Sequence, residues 1–273
     1  MFMELTPAEK GMLDGKNSKA TKKGMEILVA LGEMFGAKKL IDVKSVQIAG
    51  VSYHNLEEAG LEFLEKMAED GKVQVLTTLN PAGMDLEEWQ KLGISEDFAK
   101  NQLKVIDAFS KMGVKTTCTC TPYLIGNRPA QGDHIAWSES SAVCFANSVL
   151  GAYTNREGGP SAIASALTGK TPEFGMHLDE NRQAQVEVKV NANIESFTDW
   201  GALGHAIGSK VGKKIPLITG ISKDNADEDK LKIFSASIAT YAGIGLYHVE
   251  GVTPNETTTP SESIEISEED IEN

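Results

Sequence analysis

Apolar residues recur at helical spacing in three stretches of the chain, each closed by a glycine and paired with a short β-branched run. Met25, Leu28, Val29 and Phe35 share a helical stripe, and Gly36 suits the left-handed conformation that ends such a helix. Leu56–Asp70 repeats the pattern through Leu61, Leu64 and Met67 and closes at Gly71. Ser95–Met112 sets Phe98, Leu103, Ile106 and Phe109 on or near one face before Gly113. Between and after them, Val43–Val51, Val73–Leu79 and Val114–Thr121 read as strands. The connections are long enough for right-handed crossovers between parallel strands. A shorter helix begins at Thr6-Pro7-Ala8-Glu9, a capping box with proline at the first helical position. The expected fold class is α/β, with parallel sheet layers flanked by helices. Residues 1–125 are expected to form one α/β unit and 126–252 a second.

Parallel strands carry their carboxyl ends to one edge, where ligands bind in open α/β sheets. Three exits should therefore converge: Gly50-Val51-Ser52, Asn80-Pro81 leading to Gly83, and Cys118-Thr119-Cys120-Thr121-Pro122. Gly50 and Gly83 permit close backbone approach, Ser52 and Asn80 offer hydrogen-bonding groups, and a thiol could hold a metal. Side chains two apart share a strand face, so periodicity does not choose between Cys118 and Cys120. The place of Cys120 directly before the Thr121-Pro122 turn favours Cys120.

The second half is denser in chemistry. Gly132–Ser141 holds His134, Ser138, Glu139 and Ser140, and leads through an apolar run to Asn155-Arg156-Glu157-Gly158-Gly159-Pro160. Arg156 suits a carboxylate or phosphate, because its fork donates two parallel hydrogen bonds. Gly158 and Gly159 could add backbone N–H groups at the start of a helix near Pro160–Leu167. Cys118, Cys120, Cys144 and His134 are suitable zinc donors, but Cys-x-Cys lacks the usual knuckle spacing, and Cys144 reads as a small buried core thiol. His177 reads as a turn residue ahead of the strand Gln185–Val190. Gly204 and Gly208 mark a tightly packed helix rather than a phosphate loop.

Composition narrows the class. The chain has 273 residues with 41% apolar content, enough for a large core. A net charge of −13 argues against a nucleic-acid partner, whose phosphates are met by clustered Lys and Arg. The three cysteines and the absence of a secretory pattern at Met1–Lys10 point to a cytoplasmic setting. No membrane span is expected, because no apolar stretch approaches the roughly 20 residues required. Carboxylates crowd Thr253–Asn273 among Ser, Thr and Pro, so this segment is expected to be an acidic tail or linker.

Several long motifs in order carry a resemblance. Ile48-Ala-Gly-Val-Ser-Tyr, Thr77-Thr-Leu-Asn-Pro-Ala-Gly-Met, Thr119-Cys-Thr-Pro-Tyr, Gly132-Asp-His-Ile-Ala-Trp-Ser-Glu-Ser-Ser-Ala, Ala146-Asn-Ser-Val-Leu-Gly-Ala-Tyr-Thr-Asn-Arg-Glu-Gly-Gly-Pro and His177-Leu-Asp-Glu-Asn-Arg together resemble the aconitase X family, nearest its archaeal branch, over about residues 1–252. The resemblance implies an aconitase-like fold and a hydro-lyase with an iron–sulfur cluster of the 4Fe-4S type. It also implies dehydration of (R)-5-phosphomevalonate to trans-anhydromevalonate 5-phosphate in isoprenoid synthesis. It places the cluster cysteine on Cys120 and the substrate contacts on Gly50, Val51, Ser52, Asn80, Pro81, Ser138, Glu139 and Ser140, with Arg156 the expected anion contact. It implies a separate small subunit as partner, which carries the catalytic base, and a small anionic substrate. Two departures stand out: Tyr153 replaces a common arginine, and family members continue beyond this chain with further cluster cysteines, whereas no cysteine follows Cys144 here. The alternatives are a dehydratase of cis-3-hydroxy-L-proline, as in bacterial relatives, and a non-catalytic subunit that docks a partner.

Overall fold

In the computed structural model, which describes residues 3–272, helix ends follow local rules. The Thr6 hydroxyl accepts the Glu9 N–H and the Glu9 carboxylate accepts the Thr6 N–H, closing the capping box that starts α1 (Pro7–Leu13). Ser18 caps α2 (Lys19–Phe35), which ends at Gly36 with φ 73°. The chain continues through β1 (Leu40–Asp42), β2 (Ser45–Ile48), α3 (Tyr53–Ala68), β3 (Leu76–Leu79) and α4 (Glu96–Lys111), capped by Ser95. It then forms β4 (Ala136–Trp137), α5 (Ser140–Ser148), α6 (Gly159–Thr168), β5 (Lys170–Pro172), β6 (Val186–Val190) and α7 (Phe197–Val211). The last elements are β7 (Pro216–Thr219), α8 (Glu228–Ala242), β8 (His248–Val249), β9 (Ser263–Ile266) and α9 (Glu268–Glu272).

Two units result. The first takes the chain up to Arg128, His134–Glu139 and Glu157–Phe174. Its sheet has the order β3-β2-β4 with both pairings parallel, Ser45 opposite Leu76 and Val46 opposite Ala136, and β1 pairs antiparallel with β5. Val46, Ile48, Leu64, Leu79, Val105 and Phe109 form the core beneath it. The second unit takes Pro129–Asp133, Ser140–Arg156 and the chain from Gly175 onward. Its four-stranded sheet, β8-β7-β6-β9, is wholly parallel and packs Val188, Ile218 and Ile266 with Trp200, Ile207 and Phe234 of α7 and α8. A β-carbon on Gly204 would stand 2.6 Å from Ser237, so α7 and α8 pack as closely as the glycine spacing suggested. The fold is α/β with parallel sheets.

Three expectations need correction. The divide does not fall at residue 125. His134–Glu139 returns to the first unit because β4 pairs with β2, and Glu157–Phe174 returns because α6 packs on α2, where a β-carbon on Gly24 would lie 3.3 Å from Ala164. Val114–Thr121 is not a regular strand. Lys115 makes a single parallel bridge to Thr78, after which the Thr117 hydroxyl accepts the Leu79 N–H at 3.3 Å and Cys118 turns to φ 47°, so the backbone leaves the ladder. Finally, Thr253–Asn273 is not a free tail. Ser263–Ile266 adds to the edge of β6, Ile266 is fully buried, and Lys214 and Lys210 meet Glu262 and Asp270 at 2.6 and 2.7 Å.

Candidate functional site

The parallel β3-β2-β4 sheet sends three loops off one edge. β2 leaves through Gly50-Val51-Ser52 into α3. Gly50 has φ 78° and no atom within 4 Å of where a β-carbon would stand, so the turn is open on its outer side. Val51 is buried and anchors the loop, while Ser52 caps α3 by accepting the His54 N–H at 3.3 Å, which leaves its own hydroxyl hydrogen to donate. α3 breaks after its first turn at Glu57, with φ 50° and ψ −160°, and His54 stacks on Phe98 of α4 at 4.5 Å between ring centroids. β3 leaves through Asn80-Pro81-Ala82-Gly83, and β4 through Ser138-Glu139.

Two buried glutamines tie these loops together. Gln47, in the middle of β2, donates from Nε2 to Asn80 Oδ1 at 2.6 Å and accepts the Glu139 N–H at 3.0 Å. Gln102 of α4 donates to the Val51 carbonyl at 3.0 Å and accepts the Tyr53 and Gly83 N–H groups at 2.9 and 3.1 Å. Sequence reasoning missed both, because neither belongs to a motif and a lone glutamine is ordinarily a surface residue. The available signal was Gln47 itself, a polar residue between Val46 and Ile48 in a strand buried on both faces.

The remaining sequence-predicted residues fall into distinct settings. Ser138 Oγ is buried with no hydrogen-bond partner among the described residues, although the Ser138 N–H donates to Gln47 O at 3.1 Å. Cys118 is half-buried, and burial pushes its thiol pKa up against the opposing effect of a hydrogen bond with the Ala82 backbone. The Thr119 N–H donates to Leu79 O at 3.0 Å, which joins the thiol loop to the end of β3. Cys120, two residues on, is exposed. Gly50, Val51, Ser52, Asn80, Pro81, Cys120, Ser138 and Glu139 thus lie on exits of the first unit's parallel sheet or in the thiol loop beside them.

Ser140 and Arg156 belong to the second unit. Ser140 is the first residue of α5, and exposed Arg156 donates to the Gly243 carbonyl at 3.2 Å. In the same unit Arg182 is buried, with its guanidinium spent on the carbonyls of Asn147, Ala152 and Met176 and stacked 3.9 Å over the Tyr153 ring. It braces the backbone and has no free fork for an anion. Cys144 is buried in α5 as expected. In the first unit the Gly158 N–H is committed to Ser161 Oγ at 3.1 Å, so it is not open to a ligand as the glycine pair suggested.

The donor set tests what metal the chain could hold. Among the described residues no group of three or more His, Cys, Asp or Glu is arranged to bind a metal ion, so the four-donor zinc arrangement does not form. An iron–sulfur cluster is held by about four protein ligands, usually thiolates. One exposed thiol with a half-buried neighbour does not complete that set.

Two family models match the chain, the aconitase X first domain over residues 2–180 and the aconitase X second domain over residues 184–273. The phosphomevalonate dehydratase large subunit of Methanothermobacter thermautotrophicus is 51% identical over 251 residues, covering 92% of this chain and 62% of that protein. The cis-3-hydroxy-L-proline dehydratase of Hypocrea jecorina is 36% identical over 262 residues, covering 94% of this chain and 44% of its own length. The crystal structure of Thermococcus kodakaraensis aconitase X in its holo-form matches with a TM-score of 0.90 at 47% identity, over 99% of this chain and 68% of that one. The chain therefore spans less than two thirds of the length of the archaeal large subunit it matches.

Proposed function

The chain belongs to the aconitase X family, and from that premise we propose that it forms the substrate-binding edge of a hydro-lyase that removes water from (R)-5-phosphomevalonate, in the role of large subunit. The observation that carries this reading is the joining of three strand exits by Gln47 and Gln102 beside the thiol loop, in a chain more similar to the archaeal large subunit than to the hydroxyproline enzyme.

The chemistry asked of these residues is binding and orientation. Open backbone at Gly50, the hydroxyls of Ser52 and Ser138 and the amide of Asn80 are hydrogen-bonding groups suited to a hydroxylated anion. Pro81 stiffens the β3 exit, and Glu139 brings a carboxylate to the β4 exit. Ser140 and Arg156 are proposed as further substrate contacts. A small subunit supplies the base that takes the proton from carbon, and the hydroxyl leaves as water.

Cys120 is the cluster ligand we assign to this chain. The described residues do not complete a ligand set around it. The same incomplete set favours, as a second reading, a subunit that docks its partner without turning over substrate.

The deciding experiment supplies the chain with an archaeal small subunit and with the part of the Methanothermobacter large subunit that this chain does not cover, in trans. Formation of anhydromevalonate phosphate is followed by mass spectrometry, with cis-3-hydroxy-L-proline in a parallel assay. Turnover of phosphomevalonate alone supports the proposal. Turnover of hydroxyproline instead overturns the substrate, and a stable complex inert toward both compounds favours the docking role.

A further inference from the structure

We infer that Gln47 sets the polarity of the candidate site by holding the Asn80 side chain with its NH2 group outward, so that Asn80 acts as a donor to an anionic oxygen of the substrate. The inference rests on the reading proposed above and assigns a positioning residue to it. One group in this relay cannot be turned round. A backbone N–H only donates, and that of Glu139 points at the Gln47 amide at 3.0 Å, so the atom it meets is Oε1. Nε2 is then the atom facing Asn80 at 2.6 Å. Nε2 also only donates, so Asn80 must turn Oδ1 toward it. Asn80 Nδ2 is left with two hydrogens and no protein partner among the described residues.

The relay cannot easily reverse. Gln47 is fully buried, so no bulk water can mediate between like poles. Its backbone is held as well: the Ser138 N–H donates to Gln47 O at 3.1 Å, and the Asn80 N–H donates to Ile48 O at 2.9 Å. Flipping either amide would set donor against donor or oxygen against oxygen. An outward NH2 attracts a phosphate or carboxylate oxygen, whereas an outward Oδ1 repels it. The orientation of one half-buried amide is thus decided two hydrogen bonds away, at the backbone of the β4 exit.

Gln47→Glu tests this with almost no change of shape. When ionised, the carboxylate accepts the Glu139 N–H with one oxygen and can only accept with the other, so Asn80 must turn Nδ2 inward and present Oδ1. When burial keeps it protonated, its O–H donates to Asn80 Oδ1 as the amide does, so the substitution is read across a pH profile. Gln47→Met removes the orienting head and leaves Asn80 free to choose. In the reconstituted enzyme, Gln47→Glu is expected to raise KM for phosphomevalonate about 10- to 100-fold at the alkaline end of the profile, where the carboxyl is ionised, and to leave it near that of the unsubstituted enzyme at the acid end. Its kcat should change by less than about threefold, and Gln47→Met should show a smaller rise in KM.

A second readout does not need turnover. In the 15N-labelled chain the Asn80 side-chain amide protons should exchange quickly and shift on titration with inorganic phosphate. In Gln47→Glu they should become protected and unresponsive as rising pH ionises the carboxyl, with thermal unfolding showing both proteins folded. Protected Asn80 amide protons in the unsubstituted chain, or a KM that does not depart from that of the unsubstituted enzyme at any pH in a folded Gln47→Glu enzyme, would overturn the inference. If the enzyme turns over neither substrate while the amide signals behave as described, the substrate reading fails and the orientation stands.

Discussion

Gly83 lies so close to Ser52 that a β-carbon built on it would stand 2.3 Å from the Ser52 hydroxyl oxygen. The same carbon would come within 2.9 Å of Gln102 Oε1 and 3.1 Å of the Phe98 ring. The β2 and β3 exits therefore meet with no room for a methyl group. Gly83→Ala should cost about 1–3 kcal/mol, the usual range for overpacking. Thermal unfolding reads the loss, and substrate KM should rise because Ser52 must move.

Glu157 supplies a pH dependence. Its carboxyl is buried in the first unit, with Oε2 2.5 Å from Ser161 Oγ, and burial raises its pKa above the ordinary 4.5 against the weaker opposing hydrogen bond from Ser161. The folded chain then keeps a proton that the unfolded chain gives up. This contribution to stability is complete below 4.5 and is lost as pH rises through the folded-state value. Glu157→Gln keeps the shape and removes the titration. Its denaturation midpoint, compared with that of the unsubstituted chain from about pH 5 to about pH 9, should gain relative stability as pH rises. A constant difference across that range would rule out a raised pKa.

The three thiols should separate by reactivity. Cys120 is exposed, Cys118 is half-buried with a raised pKa, and Cys144 is buried. Iodoacetamide at neutral pH should label Cys120 about tenfold or more faster than Cys118, because burial shields the Cys118 thiol and raises its pKa. Cys144 should react only after unfolding. Peptide mass spectrometry over time gives the order, and equal rates at Cys118 and Cys120 would contradict the geometry.

The carboxy-terminal strand should matter to stability despite its acidity. Ile266 is fully buried against the second unit's core, so Ile266→Ala should cost about 2–5 kcal/mol in chemical denaturation. Glu262→Gln breaks an ion pair whose partners are about half exposed, Lys214 at 47% and Glu262 at 52%, and should cost under about 1 kcal/mol. Similar effects from the two substitutions would mean that charge, not burial, holds the strand.

Much of this architecture is legible along the chain. Stripes at Met25–Phe35, Leu56–Asp70 and Ser95–Met112 become α2, α3 and α4, because burying one helical face demands that spacing, although Phe35 and Leu103 stay exposed and α4 turns Ala99, Val105 and Ala108 inward with Phe109. Gly36 ends α2 where a left-handed residue is needed, and Thr6 and Ser95 cap because their hydroxyls meet orphan N–H groups within three residues. The parallel exits at Ser52 and Asn80 follow from the helix-and-strand alternation. The Val114–Thr121 alternation misleads, since a β-branched pattern cannot reveal that Thr117 would bond in place of the backbone and Cys118 would turn. Ser-Ile-Glu-Ile at 263–266 is too short and too acidic to announce a strand before β6 offers it an edge.

What the amino-acid order determined by itself is local: where helices start and stop, which faces are apolar, and that Ser52 and Asn80 end strands that run the same way. Tertiary structure decided which distant segments share a unit and which side of a polar group faces outward. His134–Glu139 joins the first unit through β4, and Gln47 then reads the backbone of Glu139 and orients Asn80, 33 residues further on than itself. The physical reason is that periodicity depends on neighbours three or four positions apart, whereas a buried amide takes its direction from whatever donor the folded chain brings to it.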